Sequence, residues 1–292
     1  MSNNSNNIDY LDLKESNQYV KDLIKSNKPF VISRLGSEII PTLHFLYNNN
    51  LIVPDYIVNN AGIYSKSESK IEDYLTYYKA YYNAIDKSDA IATFKILSHI
   101  SREEDFFVKK KNKQGLSYKV LEPFYSIMEN DIPWTHLLKE KKVLIISPFV
   151  GSFIKQLNNN FKMFKNQDIF LPGQRFIFYK SFNTSSHNYL HNNWIETFSI
   201  MCSEIEKLDF DIALISCGGY GMPICDFIKD KLNKSSIYIG GGMQLLFGVI
   251  GRRWDNDENI QKIIKENECV FIRPSEDEII KNSSNVEGGC YW

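Results

Sequence analysis

Ile212-Ala-Leu-Ile-Ser-Cys-Gly-Gly-Tyr-Gly221 is an apolar, β-branched run that stops abruptly at Gly218, Gly219 and Gly221, and a helical pattern follows over 222–231. The order is strand, glycine turn, helix. Glycine reaches positive φ and lets a ligand approach the main chain closely. The first turn of the following helix offers unpaired amides and the positive end of a dipole, which suit a phosphate. Ser236-Ile-Tyr-Ile-Gly-Gly-Gly-Met-Gln-Leu-Leu-Phe247 reads as a second copy. Two such units in tandem predict an α/β sheet with ligand-facing loops at the carboxyl ends of its strands.

Working outward, 29–33, 89–94, 143–149, 168–172, 176–179 and 269–272 read as further strands. Helical spacing covers 11–25, a stretch ending near Tyr47, 68–85, 152–161 and 194–205. Strands alternate with helices from end to end. A Rossmann-like, mostly parallel sheet with helices on both faces, in a single α/β domain, is therefore expected. The charged stretch 101–120 is expected to be an exposed helical excursion or lid. Residues 1–8 read as a short disordered lead-in.

With 292 residues, 43% hydrophobic and 24% charged, the chain can bury a substantial core. A net charge of −1 gives no general attraction to nucleic acid or anionic membrane, so neither is expected as a partner. Tyr74, Tyr77, Tyr78, Tyr81 and Tyr82 recur at helical spacing and are expected to coat one helix face. The five cysteines are odd in number and lack any CxxC pair, which points to buried, reduced thiols of a cytoplasmic kind. No apolar run reaches the roughly 20 residues of a membrane-spanning helix. Met1 to Asn7 contains no signal-peptide core. His187 and His191 stand four apart, but no HExxH glutamate accompanies them.

Several nucleotide chemistries are disfavoured. Gly-Gly-Tyr-Gly is not G-x-G-x-x-G, and Gly240 ends the second strand where a ribose-binding carboxylate would stand. There is no GxxxxGK[ST] and no GxSxG. Arg34-Leu-Gly-Ser-Glu38 follows a buried strand and should project from the sheet's carboxyl edge. Arg34 suits a phosphate in forked geometry, and Glu38 suits a divalent metal or a base. A structural ion pair between the two is the bland alternative. In Gly251-Arg-Arg-Trp254, Arg252 or Arg253 is placed to reach a diphosphate, with stacking on Trp254 as its alternative. The aromatic-tipped segment 287–292 either covers a site or packs Tyr291 and Trp292 on the core. Ser147-Pro-Phe149 ends another strand and lines the same cleft or makes a tight exit turn.

Arg34-x-Gly-Ser-Glu38, Ser147-Pro-Phe149, Gly218-Gly-Tyr-Gly221 and Gly240-Gly-Gly-x-Gln-x-x-Phe-Gly248 with Arg253-Trp254 together resemble the GT-D type glycosyltransferases and their bacterial and viral relatives. The likeness spans about 29–292. It implies a nucleotide-sugar donor, often UDP-linked, a glycan or glycoprotein acceptor, and a divalent cation such as Mn²⁺ or Mg²⁺. The family's first strand ends in an Arg-x-Gly-Asp-x-Glu-like run. Here Ser37 holds the aspartate position and Glu38 follows at once, so one acidic ligand is missing. The resemblance implies catalytic roles for Arg34 and Glu38, with Glu38 on the metal. It implies donor contacts from Gly36, Ser37, Gly218, Gly219, Tyr220, Gly221, Gly240, Gly241, Gln244, Arg253 and Glu287. A non-catalytic nucleotide or sugar-nucleotide binding module, and an S-adenosylmethionine-dependent methyltransferase, are the competing expectations. A homodimer stays open.

Overall fold

The computed structural model describes residues 10–94 and 99–292. The lead-in expected over 1–8 lies outside the described residues. Helix α1 (Leu13–Lys25) precedes β1 (Val31–Arg34). Helices α2 (Ile39–Asn48), α3 (Asp55–Asn59) and α4 (Lys70–Asp86) lead to β2 (Ala90–Thr93), and α5 (Ser101–Asp105) leads to β3 (Gln114–Ser117). Next come α6 (Phe124–Met128), β4 (Lys142–Ser147), α7 (Val150–Asn158) and β5 (Arg175–Lys180). The glycine-bearing half holds α8 (Trp194–Ile205), β6 (Ile212–Ile215), α9 (Gly221–Asp230), β7 (Ser235–Tyr238), α10 (Met243–Leu246) and α11 (Glu258–Asn267).

The seven strands form one sheet in the order β3-β2-β1-β7-β6-β4-β5. Every pairing is parallel. The apolar runs are continuous because both faces are covered, and successive side chains sort alternately into two cores. Val143, Ile145, Ile212 and Leu214 join α1, α6, α7, α10 and α11 on one face. Leu144, Ile146, Ala213 and Ile215 join α2, α4, α8 and α9 on the other. The tyrosine stripe behaves as its spacing predicts, with Tyr77, Tyr78 and Tyr81 buried in the second core.

Parallel pairing puts every strand's carboxyl end on one rim. Strand β4 sends the chain into α7 on the first face, whereas its neighbour β6 sends it into α9 on the second. Strand β7 likewise turns to the first face, between β6 and β1, which both turn to the second. Crevices open where neighbouring connections part in this way, and ligands of open α/β sheets bind there.

Four sequence expectations change. Residues 101–120 are not an exposed excursion, because they contain edge strand β3, with Ala92 opposite Leu116. Phe107, Val108, Leu116 and Val120 are buried, and the surrounding charges masked this short apolar content. The stretch 168–172 is not a strand. His136 Nε2 lies 2.6 Å from the Asp168 carbonyl, and the Thr135 hydroxyl donates to the Ile169 carbonyl, so side chains take the place of a ladder. The stretch 269–272 contributes only an isolated parallel bridge between Val249 and Ile272. Finally, the helix after the second glycine run is a single turn, and it ends before Gly248, whose φ is +71°.

Candidate functional site

Arg34 is the last residue of β1, so its side chain leaves the rim between β2 and β7. Its guanidinium lies over the Phe94 ring, 5.0 Å from the centroid. No carboxylate among the described residues pairs with it, and its Nε is buried without a hydrogen-bond partner. The Arg34–Glu38 ion pair weighed above therefore does not form. A buried N–H left without an acceptor is costly unless something anionic or carbonyl-bearing meets it. Arg34 lines three adjoining cavities, and it is their common wall.

The first cavity, about 630 Å³, is bounded by Pro148 and Phe149 after β4, Asn183 and Thr184 after β5, Cys217, Gly218 and Tyr220 after β6, and Gly240 and Gly241 after β7. The second, about 1250 Å³, takes in Gly36, Ser37, Glu38, His99, Tyr238 and Glu287. Glu38 folds back over Gly36, where an added Cβ would collide with its carboxylate. Burial raises the Glu38 carboxyl above the usual carboxylate range; its own backbone amide and Arg34 hold it down, and Glu287 pushes it further up.

The helix starts after β4, β6 and β7 differ in what they leave for a ligand. At α7 the Glu278 carboxylate fills the position, accepting from the Ser152 amide at 3.0 Å and from the Ser152 hydroxyl. At α9 the Gly219 amide is committed to the Ala61 carbonyl at 2.8 Å, and the Tyr238 ring lies on Gly221. Gly219 and Gly221 thus serve close packing and line none of the three cavities, while Gly218 and Tyr220 do. Beyond β7, Gly240 and Gly241 face the first cavity. Gly240 sits at φ +73°, and a Cβ there would strike Arg34 Nη1, so glycine is required for both reasons. With a one-turn α10 behind them, the dipole contributes little, and positive charge at the rim comes mainly from Arg34 and Arg253.

The C-terminal segment meets both expectations: Trp292 belongs to the first core with Tyr291 packed against it, and the same segment borders the first cavity. The Trp292 indole donates to the Glu278 carbonyl at 2.9 Å, and the Arg253 amide donates to the Cys290 carbonyl at 3.1 Å. Val286, Tyr291 and Trp292 close one side of the first cavity. Arg253 pairs with Glu287 at 2.5 Å, contacts Cys290 Sγ and stacks on Tyr291 at 4.0 Å. Gln244 lies behind this segment: it donates to the Tyr291 carbonyl at 2.9 Å and lines none of these cavities. Its Oε1 is buried without a partner.

Two residues that the sequence reading passed over also reach the rim. His99 Nε2 lies 2.8 Å from the Ser37 hydroxyl. Glu122, after β3, rests against Gly242, where an added Cβ would collide with its carboxylate. Burial pushes the Glu122 carboxyl up to about 7, with Arg34 and Arg253 opposing and Asp257 adding to the rise. No motif marks either residue, and only the β3-β2-β1-β7 order brings them to Arg34.

Among the described residues no group of three His, Cys, Asp or Glu side chains is arranged to hold a metal ion. Glu38 and Glu287 line one cleft, and Glu287 adds to the cost of charging Glu38. A magnesium-type ion is commonly held by one or two carboxylates plus substrate phosphates; of these two, Glu287 is already paired with Arg253 at 2.5 Å. The cysteines carry no disulfide. Among the described residues no helix is long and apolar enough to cross a membrane. Fold and rim together define a Rossmann-like α/β protein with a charged, aromatic cleft across its switch points. Comparison with family models, curated proteins and solved structures finds no match to this chain.

Proposed function

We propose that this protein is a glycosyltransferase that moves a sugar from a nucleotide-sugar donor, such as a UDP-sugar, to a glycan or glycoprotein acceptor. The observation that carries the reading is Arg34, which has no ion-pair partner among the described residues and a buried Nε without a hydrogen-bond partner, on the same rim as Gly218, Gly240 and Gly241. A departing nucleoside diphosphate gathers negative charge in the transition state, and a preorganised cation in a desolvated crevice stabilises that charge without reorganising. Arg34 faces the diphosphate in this reading, and Gly240 and Gly241 allow it close to the main chain. Tyr238 and Tyr291 wall the donor. Glu38 and Glu287 would hold a divalent cation on the diphosphate, which would neutralise further charge when bound. The cation is part of the proposal.

The test is thermal stability of the full chain with UDP-sugars, with and without Mn²⁺ or Mg²⁺. A ligand that binds only the folded state raises the melting temperature. Wild type is expected to respond, and Arg34→Ala is expected to lose both the response and sugar transfer while melting normally on its own. A binding module gives the shift with no transfer or donor hydrolysis. A methyltransferase responds to S-adenosylmethionine instead.

A further inference from the structure

The third cavity on the rim has no role in the donor reading. It is an open cleft of about 480 Å³ between Arg34, Phe94, Tyr118, Glu122, Gly242, Arg253 and Trp254. Arg34 and Gly241 line both this cavity and the first, so the two adjoin. Phe94 is unavailable for stacking, since Arg34 covers it on centroid approach and Tyr118 stacks on it at 4.7 Å. Tyr118, with one face on Phe94, and Trp254, which the Arg253 guanidinium approaches at 5.5 Å from the ring centroid, complete the aromatic wall. Glu122 makes no side-chain hydrogen bond or ion pair among the described residues, although Arg34, Arg253 and Asp257 all act on it electrostatically.

We propose that this cavity is the acceptor site, that it takes a monosaccharide unit, and that Glu122 is the catalytic residue that receives the acceptor hydroxyl's proton. The chemistry selects a neutral polyol. A free phosphate is drawn by Arg34 and Arg253 but repelled by Glu122, whereas sugar hydroxyls accept from guanidinium groups and donate to a carboxylate at once. An aromatic wall suits the apolar face of a pyranose. In the transfer, the acceptor O–H gives its proton to a Glu122 oxygen. The hydroxyl oxygen's electron pair forms the bond to the anomeric carbon. The bond from that carbon to the diphosphate oxygen breaks, and its electrons leave on the diphosphate, which Arg34 faces across the shared wall. A carboxyl held near neutral pH by its surroundings is well matched to such a task. The catalytic part rests on the transferase reading; the binding part does not.

The probes are p-nitrophenyl glucosides, galactosides and N-acetylglucosaminides, titrated into the full chain and followed by broadening of their proton resonances. At least one is expected to bind, with affinity falling tenfold or more in Tyr118→Ala and kept within threefold in Tyr118→Phe. Glu122→Gln is expected to bind UDP within twofold of wild type and to lose at least 100-fold in transfer from the UDP-sugar to the glycoside. If no glycoside binds in a Tyr118-dependent way, or if Glu122→Gln transfers at the wild-type rate, the assignment is overturned. Glycoside binding without any UDP-sugar binding sinks the transferase reading and leaves the sugar cavity standing. UDP-sugar binding without glycoside binding does the reverse.

Discussion

Glu122 lines a cavity with Arg34 and carries an expectation for pH. Glu122 is raised from 4.5 to about 7 in the folded chain, so between those values the folded state holds a proton that the unfolded state has released. Stability then falls as pH rises through that window. Glu122→Gln removes the loss. It should melt like wild type at pH 4.5 and be more stable at pH 8 by about 3 kcal/mol, as read by denaturant titration at both pH values. Equal stability at pH 8 would sink this account of the site's electrostatics. At this scale the sequence was informative where a residue ends a strand: Arg34 lies at the end of an apolar run, and its exit direction follows. Glu122 and His99 follow no such run, and their position depends on which strands become neighbours. The donor contacts expected from Gly219, Gly221 and Gln244 failed to reach a cavity for a related reason. A glycine quoted in a turn does not reveal whether its open side meets a ligand or another loop, and here Ala61 and Tyr238 occupy it.

The glycine turns show what an element needs from its residues. Gly240 combines positive φ with a contact that excludes any side chain toward Arg34. Gly240→Ala should cost about 1–3 kcal/mol for the strained backbone. It should also displace the Arg34 guanidinium, so nucleotide-sugar binding falls by more than the stability change explains. Calorimetric binding combined with a melting curve separates the two effects, and unaltered binding would argue against Arg34 as the anion contact. Strands were legible because buried parallel strands are apolar on both faces. The one-turn α10 was not, because Leu245, Leu246 and Phe247 look like the start of a longer helix. Phe247 instead stacks on Phe153 at 4.8 Å, and Gly248 turns the chain toward Ile272. Edge strand β3 was hidden because Gly115 contributes no apolar side chain and lies against Tyr10.

Across the whole molecule, the C-terminal segment ties the first cavity to the core. Trp292 is buried, meets Phe149 edge to face at 6.1 Å and donates to the Glu278 carbonyl. Trp292→Ala should lower stability by about 3 kcal/mol, with weakened nucleotide-sugar binding as Tyr291 loosens. A thermal melt indistinguishable from wild type would show that the segment does not close the site. The sheet order was the least legible feature of all, because hydrophobic pattern fixes which residues are strands and says nothing of their neighbours. That order has a consequence for biosynthesis. Strand β1 finds its inner neighbour only when Ser236 and Ile237 arrive to pair with Val31 and Ile32. While the ribosome extends the chain across the intervening two hundred or so positions, one flank of β1 has no native partner and is open to misassembly. A nascent fragment stopped at residue 230 should therefore need chaperone protection and precipitate when released, whereas one reaching residue 292 should stay in solution; equal recovery of the two would mean that another segment guards that flank.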